Sequence, residues 1–335
     1  MHAAGSATPM FRQYRALKQQ HPTAILLFRM GDFYEMFYED AQLASRLLEL
    51  TLTARGRGTE HVAPMCGFPH HQLDAYTARL VRGGQRVAIC EQIEDPRQAR
   101  GLVRRAVVRV VTPGTLTDPA ALEAKSNLWI AGVATCGRQL GAAWLDPSTG
   151  EFLAWESAAD DADPAASLRD RLRAFAPREI VHPQDYPHLE LLRGEAATLS
   201  PVEPYGFATA PAAERLQRQL GVASLDGFGF RERAAAIGAA GGLLLYAQET
   251  QQCRLEHIDA LRLHDPGESL RLDAATRRNL ELEGALREGE RRGTLLGTID
   301  RTLTGPGGRL LRRWLLAPLL DPGAIGARHD AVAEL

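Results

Sequence analysis

Short apolar runs alternate with segments of helical spacing along the first 115 residues, and this alternation constrains the fold more than any other feature. Residues 24–29, Arg86–Gln92 and 103–111 are rich in branched and apolar side chains, which predicts three buried strands. Between them, residues 31–50 and 72–82 carry apolar side chains at intervals of three and four, which predicts helices. Strands alternating with helices predict an α/β domain.

The chain of 335 residues is too long for one ordinary domain, and changes of pattern divide it into three. The first domain, residues 1–116, opens with a predicted helix over residues 8–20, because Thr8 can cap it and Pro9 suits its first position. Residues 117–127 are a predicted linker. Residues 128–250 form a second domain, and residues 251–335 the start of a helical third domain, which we expect to be truncated because the pattern stops midway.

The second domain is also predicted to be α/β. Residues 128–135 and 139–156 resemble a β-hairpin and its extension, with a turn at residues 146–150. Helical spacing follows at residues 165–175 and 212–219. Ala234–Gln251 is a predicted helix with apolar residues on nearly every side, so we expect it to be buried.

Charge is distributed unevenly along the chain. Residues 1–125 contain 16 basic and 12 acidic residues, a formal charge of +4, whereas the remainder contains 23 basic and 29 acidic residues, a formal charge of −6. The whole chain carries −2, which argues against a general nucleic-acid-binding protein. Any contact with DNA is therefore predicted to lie in the first third.

The four cysteines are widely spaced and form no Cys-x-x-Cys pair, so they indicate reduced thiols and not a disulfide framework or a zinc site. No signal-peptide core is present at the N-terminus. The longest apolar stretch, residues 234–247, contains several glycines and is too short to span a bilayer. We therefore expect a cytoplasmic protein with no membrane contact.

The segment at residues 29–41 carries the most chemical information. If its helix begins near Gly31-Asp32, a core-facing stripe at helical spacing leaves Phe33 at the stripe's edge and Glu35 pointing away from it. The residues of this predicted stripe are Tyr34, Phe37, Tyr38, Ala41, Ala44 and Leu48. In one interpretation, Asp32 is merely the helix cap and Glu35 completes a capping box, a device that contributes about 1 kcal/mol.

In the second interpretation, the same segment contacts DNA. A phenylalanine presented at the start of a helix can wedge between base steps and kink the duplex, at a cost that is lower where the pair is mismatched. A carboxylate beside it would be repelled by phosphates, so Glu35 suits a hydrogen bond to a displaced base edge. The residues alone leave both interpretations open.

Four segments, in this order, resemble the MutS family of DNA mismatch-repair proteins. They are residues 28–35, 64–71, 87–92 and 107–115. The resemblance implies that Phe33 stacks on the mispaired base and that Glu35 hydrogen-bonds it.

The same resemblance places four further residues near DNA. They are Arg55, Met65, His71 and Arg105. Arg55 and Arg105 would contact a phosphate or a groove; the alternative for each is a solvated surface arginine.

The resemblance extends along the rest of the chain. Residues 145–152 are similar to the family's connector domain, which implies an RNase H-like α/β fold. Residues 272–273, 278–282 and 309–315 are similar to the start of its all-α core domain. The sequence departs from the family at residues 305–308, Gly-Pro-Gly-Gly, where the family usually has Met before a single Gly. The expected fold class is therefore α/β multidomain, with a mixed-sheet mismatch-recognition domain, this connector and the helical start.

The resemblance also implies properties of the whole protein. It implies an ATPase domain that uses ATP and magnesium and that is not among these residues, a homodimer, and a MutL-type partner. For this chain by itself we expect double-stranded DNA with a mismatch or small loop as the ligand, no catalytic residues and no cofactor.

A metal site is the first rival hypothesis, drawn from His61, Cys66, His70 and His71. The cysteine is isolated, and two adjacent histidines cannot easily face one ion, so the spacing does not favour it.

A nucleotide-binding site at residues 305–308 is the second rival hypothesis. A P-loop requires Gly-Lys followed by Ser or Thr, whereas Arg309 and Leu310 follow here, which favours a turn that opens a helix.

A metal-dependent nuclease of RNase H-like fold is the third, with Asp146 at a strand end as its candidate acid. Such chemistry needs several converging carboxylates, and none of the neighbouring strand residues supplies a partner. A turn-forming Asp146 before Pro147 is the favoured interpretation.

Overall fold

The computed structural model of the chain describes residues 8–56, 62–94, 101–116, 127–253, 255–264, 270, 272, 274–285 and 293–334. The chain forms two compact units: unit 1 comprises Met1–Asp118 with Ala247–Leu255, and unit 2 comprises Pro119–Tyr246 with Glu256–Leu335. Each unit is built on a six-stranded sheet that mixes parallel and antiparallel pairs. The predicted α/β multidomain class is confirmed. Most of the predicted linker, residues 117–126, lies outside the described residues.

The sheet of unit 1 combines one parallel pair with antiparallel neighbours. Its strands are β1 (Ala24–Met30), β2 (Phe33–Phe37), β3 (Thr53–Arg55), β4 (Ala63–Pro69), β5 (Arg86–Gln92) and β6 (Arg105–Val111). They lie in the order β3-β4-β2-β1-β5-β6, and β1 and β5 are the parallel pair. The helices of unit 1 are α1 (Pro9–Gln20), α2 (Tyr38–Leu48) and α3 (Leu73–Arg82), with a 3-10 turn at His70–Gln72.

An aromatic cluster forms the core where α1 packs against this sheet. Phe37 makes edge-to-face contacts with Phe11 and Tyr14, with ring centroids 5.2 and 5.1 Å apart, and Tyr14 also meets Phe28 at 5.5 Å. Such pairs contribute about 0.5–1.5 kcal/mol each beyond burial of their area. The predicted cap of α1 is confirmed, because the Thr8 hydroxyl accepts a hydrogen bond from Phe11 N.

A buried carboxylate joins three elements of unit 1. Asp40, on α2, is 6% exposed. It accepts hydrogen bonds from the Tyr14 hydroxyl at 3.2 Å, Lys18 Nζ at 2.8 Å and the backbone N–H of Leu26 at 3.0 Å. Burial, followed by the charge of Asp40, raises the pKa of the Tyr14 hydroxyl. Asp40 therefore fixes the first turn of α2 against both α1 and β1.

The predicted start of the second helix is wrong. The chain turns at Gly31-Asp32 and returns as strand β2, in which Met30 pairs with Phe33 and Phe28 with Glu35, and α2 begins at Tyr38. Asp32 is therefore not a helix cap, and the capping-box interpretation falls with it. Gly31, at φ +58°, adopts the left-handed conformation that this turn requires and that glycine tolerates best. Strands β3 and β4 were not predicted.

Unit 2 contains the second mixed sheet. Its strands are β7 (Ile130–Cys136), β8 (Gln139–Asp146), β9 (Glu151–Glu156), β10 (Glu179–Pro183), β11 (Thr198–Val202) and β12 (Arg262–Leu263). They lie in the order β11-β10-β7-β8-β9-β12; β7, β8 and β9 form an antiparallel meander, and the other neighbours pair in parallel. Its first helices are α4 (Pro164–Phe175), α5 (Leu189–Leu192), α6 (Thr209–Leu220) and α7 (Ala234–Gln251), of which the residues from Ala247 onward belong to unit 1. The predicted hairpin is confirmed.

Helix α7 packs directly on the backbone of β7 and β8. A Cβ atom on Gly141 would lie 2.1 Å from the carbonyl oxygen of Ala235, and one on Gly132 would lie 2.7 Å from that of Ala239. Only glycine permits such a close approach. Ala239, like most residues of α7, is fully buried, so the predicted burial of this helix is confirmed. Among the described residues, no helix is both long and apolar enough to cross a membrane.

The last part of unit 2 is helical, as predicted. Its helices are α8 (Ala274–Asn279), α9 (Leu295–Ile299), α10 (Gly305–Leu316) and α11 (Pro322–Glu334). The sequence Gly-Pro-Gly-Gly forms the first turn of α10, and the Thr304 hydroxyl caps it by accepting from Gly307 N at 3.2 Å. This geometry supports the start of a helix at this segment and not a phosphate-binding loop.

Candidate DNA-binding site around Phe33

Strand β2 presents Phe33 and Glu35 on one face of the sheet. Alternate residues of a strand point to opposite faces, so Tyr34 and Met36 face inward and are 1% and 0% exposed. Phe33 is 47% exposed. Its position beside the Gly31-Asp32 turn places the ring at the end of the β1–β2 hairpin. The structure therefore brings the two residues together more closely than the predicted helix would have done.

The exposure of Phe33 is energetically unfavourable for the isolated chain. Burying a phenylalanine side chain stabilises a fold by about 1.5–3 kcal/mol, and the exposed side chain of Phe33 provides only part of this stabilisation. Within the described residues, its ring makes no contact with another aromatic ring. An exposed aromatic ring on a rigid strand is available to a ligand.

Glu35 forms an ion pair with Arg55 of the edge strand β3. The distance between Glu35 Oε2 and Arg55 Nη1 is 2.6 Å, and the side chains are 17% and 39% exposed. Burial raises the pKa of the Glu35 carboxyl above its ordinary value, although Arg55 and, after it, Arg105 act to lower it. Desolvation outweighs the ion pair because the carboxylate is more deeply buried than the arginine that neutralises it.

Gly67 leaves room for the Glu35 side chain. It pairs with Glu35 across β2 and β4, and a Cβ atom on Gly67 would lie 2.7 Å from the carbonyl oxygen of Tyr34 and 3.5 Å from Glu35 Cγ. The sequence prediction did not single out this residue, although it lies in one of the four segments that carry the resemblance. A glycine opposite a chemically important strand residue was the available signal.

Arg105 is not the exposed side chain that was expected. It is 8% exposed, and its guanidinium donates to Arg29 O at 2.7 Å, Val103 O at 2.9 Å and Gln13 Oε1 at 3.1 Å. It also lies over the Phe28 ring, 5.0 Å from the centroid. Burial lowers its pKa. Arg105 is neither a solvated surface arginine nor free to reach a phosphate in this structure; it acts on the site through its charge.

A second set of polar contacts lies on the opposite face of β2 from Phe33. The Tyr34 hydroxyl donates to Glu91 Oε1, which lies 4.0 Å from Arg29 Nη1, and the Arg29 guanidinium lies over the Tyr34 ring. Burial, followed by Glu91, raises the pKa of the Tyr34 hydroxyl. From the sequence, Tyr34 was predicted only as a core residue, and Arg29 and Glu91 were assigned no role. These contacts link β2 to β1 and β5.

Met65 and His71 lie at different depths. Met65, on β4, pairs with Phe37 and packs, partly buried, against the aromatic core. His71 is exposed in the 3-10 turn that follows β4. The backbone N–H of its neighbour His70 donates to Asp32 O at 2.8 Å, which places this turn beside the β1–β2 hairpin. The turn that contains His71 therefore lies beside the hairpin that carries Phe33, whereas Met65 packs against the core.

A metal site is not supported. Cys66 is buried, its thiol donates to Ala41 O at 3.4 Å, and burial raises its pKa to about 11. His61 lies outside the described residues. In the described parts of the chain, no group of three or more His, Cys, Asp or Glu side chains could hold a metal ion.

Asp146 is a turn residue, as favoured from the sequence. Its carboxylate accepts from Ser148 N at 2.9 Å, the Ser148 hydroxyl at 2.6 Å, Leu128 N at 3.2 Å and Asn127 Nδ2 at 3.1 Å, and it is 0% exposed. A carboxylate occupied by four internal donors cannot also hold catalytic magnesium. The geometry therefore gives the nuclease alternative no support.

Comparison with known proteins matches the chain to three domain models of one family. Residues 8–120 match MutS domain I, residues 127–259 match MutS domain II, and residues 275–335 match MutS domain III. The DNA mismatch repair protein MutS of Symbiobacterium thermophilum is 44% identical over 340 residues, covering 98% of this chain. Those of Pelotomaculum thermopropionicum and Syntrophomonas wolfei are 45% and 43% identical over 97% and 98% of it. The chain spans 38% of the length of each relative. The chain belongs to the MutS family, whose domains I, II and III it matches in order.

Proposed function

We propose that this chain recognises mispaired or unpaired bases in double-stranded DNA and so initiates mismatch repair. The observation that carries the proposal is the shared strand face of Phe33, 47% exposed, and Glu35, half-buried beside it. An apolar ring and a hydrogen-bonding carboxyl group, two residues apart on a rigid strand, suit the flat face and the polar edge of one base.

Phe33 would act as a wedge. Inserting an aromatic ring between base steps requires unstacking, which costs a few kcal/mol per step and less where the pair is already mismatched. Recognition would therefore depend on how easily the duplex deforms and not on its sequence. The contacts that link β2 to β1 and β5 behind Phe33 support this role, because a wedge must not yield when it meets the duplex.

Glu35 would hydrogen-bond the base that Phe33 displaces. Phosphates repel a carboxylate, so a glutamate at a DNA interface needs a specific partner. Burial already raises the pKa of Glu35, and the negative potential of DNA would raise it further. A protonated carboxyl group can donate to a base acceptor, while the ionised form can accept from a base N–H group. Either form gives Glu35 a partner on a displaced base.

The other predicted contacts would differ in kind. Arg55 and His71 are exposed enough to meet the backbone. Met65 and Arg105 would act by positioning the strands that carry Phe33 and Glu35, since both are engaged in the fold.

The wider activity of a longer protein is also part of the proposal. The relatives are named as mismatch repair proteins and are more than twice the length of this chain. We infer an ATPase that uses ATP and magnesium, a homodimer, a MutL-type partner and a cytoplasmic location. Unit 2 would connect the state of the DNA to those activities.

The test is competition binding of a single-mismatch duplex against its matched counterpart, in the full-length protein that contains these residues. Phe33→Ala should reduce the mismatch preference roughly tenfold or more, because base–aromatic stacking is worth about 1–3 kcal/mol. Leu52→Ala is the matched control, since Leu52 is 46% exposed in the same unit. It should retain the preference of the wild type.

The proposal would be rejected if Phe33→Ala and wild type showed the same mismatch preference. Phe33 would then be only an exposed hairpin residue. A loss of preference in Leu52→Ala as well would also count against it, because the effect would follow from general damage to the domain.

A further inference from the structure

The ion pair between Arg55 and Glu35 occupies the group that the proposed function assigns to the base. Arg55 Nη1 lies 2.6 Å from Glu35 Oε2, and Arg55 ends the three-residue strand β3 at the edge of the sheet. The pairing joins residues 20 positions apart in the sequence. The chain therefore presents Glu35 to the outside with a partner already in place.

We propose that Arg55 sets mismatch specificity by competing with the base for the Glu35 carboxyl group. In the DNA-free protein and on matched DNA, Glu35 stays paired with Arg55. On mismatched DNA, Glu35 exchanges Arg55 for the displaced base. This inference rests on the proposed role of Glu35 and adds a partner exchange to it.

The structure favours exchange at Arg55 and not at Arg105, the other arginine that acts on Glu35. Arg105 is held by three hydrogen bonds and is 8% exposed, so moving it would break the packing of the domain. Arg55 is 39% exposed. Ion pairs with an exposed partner are typically weak, so a base can replace Arg55 as the partner of Glu35.

The charged groups that face Glu35 come from two strands. The neighbours of Glu35 on β1 and β4 are Phe28 and Gly67, neither of which titrates. Arg55 on β3 and Arg105 on β6 supply the charges that favour the ionised carboxylate. Removal of Arg55 therefore leaves Arg105 as the remaining stabilising charge, and the titration of Glu35 reports on Arg55 directly.

The first experiment follows the Glu35 carboxyl group by carbon-13 NMR during a pH titration of the DNA-free, full-length protein, with Glu35→Gln to assign its signal. Arg55→Met should raise the pKa of Glu35 by about one unit, the lower end of the effect of a nearby opposite charge because Arg55 is partly solvated. Arg79→Met is the matched control, since Arg79 is 45% exposed in unit 1 and pairs instead with Glu49. An unchanged pKa in Arg55→Met overturns the proposal.

The second experiment measures the preference for mismatched over matched duplex in the same variants. Arg55→Met should raise the preference by about threefold, because the mismatched complex no longer has to break the ion pair while the matched complex leaves Glu35 without a partner. In a Glu35→Gln background, Arg55→Met should leave the preference unchanged. Arg79→Met should leave it unchanged in both backgrounds.

The outcomes separate this inference from the proposed function. If Phe33→Ala abolishes the preference but Arg55→Met leaves it unchanged or lowers it, the recognition of mismatches stands and the exchange is wrong. An equal effect of Arg55→Met in the wild-type and Glu35→Gln backgrounds would also reject the exchange, because Arg55 would then act on DNA alone. If Phe33→Ala has no effect, both proposals fail.

Discussion

The tripeptide Phe-Tyr-Glu occurs twice within residues 33–39, and the fold places the two copies in opposite ways. In the first, Phe33 is 47% exposed, Tyr34 is buried and Glu35 is half-buried on the face of Phe33. In the second, Phe37 is fully buried and Glu39 is exposed. The same residue types therefore form a candidate ligand site in one copy and part of the core in the other.

The difference arises from what each copy meets in space. Phe37 closes β2 against α1, where it packs edge-to-face with Phe11 and Tyr14. The Tyr14 hydroxyl then donates to both Phe37 O and Asp40. Phe33, four residues earlier, lies at the hairpin turn, beyond the reach of this cluster. Residue type does not distinguish a core aromatic from an exposed aromatic that a ligand can contact; position relative to the sheet does.

The largest effect on stability is expected from truncating the buried copy. Phe37→Ala should destabilise unit 1 by about 3–5 kcal/mol, since it removes a fully buried ring and leaves a cavity. Phe33→Ala should change stability by about 0.5 kcal/mol or less. Hydrogen exchange of the β1 and β5 amides, followed by mass spectrometry, measures the stability of unit 1 in both variants. Tryptophan fluorescence would not report on unit 1, because the four tryptophans all lie in unit 2.

Equal losses of protection in the two variants would contradict this comparison. They would mean that Phe33 packs against the protein in solution, and its assignment as an exposed wedge would have to be withdrawn.

The next largest effect on stability is expected at Asp40, the buried carboxylate that directly follows the second copy. Asp40→Ala should cost about 3 kcal/mol, because it leaves the Leu26 N–H without its acceptor and Lys18 without its ion pair, and it removes one of the two acceptors of the Tyr14 hydroxyl. Glu39→Ala, next to it on α2 but exposed, is the matched control and should have little effect. Hydrogen exchange of Leu26 should rise first in Asp40→Ala; an unchanged Leu26 amide would show that Asp40 is not its anchor.

Local signals were sufficient for elements that depend on local contacts. The Thr8-Pro9 start of α1, strand β5 and the buried helix α7 were all predicted, because caps, short apolar runs and an all-apolar helix can be read from neighbouring residues. The same local reasoning failed at residues 33–37. Their aromatic residues fit a helical stripe as well as strand alternation, and Asp32 with Glu35 imitates a capping box.

Distant partners decided the remainder of the site. Strand β2 forms because β1 and β4 pair with it on both sides, and β4 lies about 30 residues further along the chain. Arg105 is buried because Gln13, 92 positions away, accepts from it. Phe33 and Glu35 could be named from the sequence motif, but their shared face, the Arg55 ion pair and the burial of Arg105 depend on contacts that no local pattern contains.

The smallest effect on stability is expected from neutralising the glutamate of each copy, Glu35 in the first and Glu39 in the second. Burial raises the folded-state pKa of Glu35 above the ordinary value of 4.5, so ionisation of Glu35 opposes folding. The wild type should therefore lose stability relative to Glu35→Gln as pH rises through the folded-state pKa, and the difference should be constant at neutral pH. It should not exceed about 1 kcal/mol, because Arg55 partly compensates and is exposed. Glu39→Gln controls for the loss of one negative charge at an exposed position of the other copy.

If Glu35→Gln were instead less stable than wild type at neutral pH and equal to it in acid, the ion pair with Arg55 would outweigh desolvation. Glu35 would then be tied to Arg55 more firmly than a base-binding group can be.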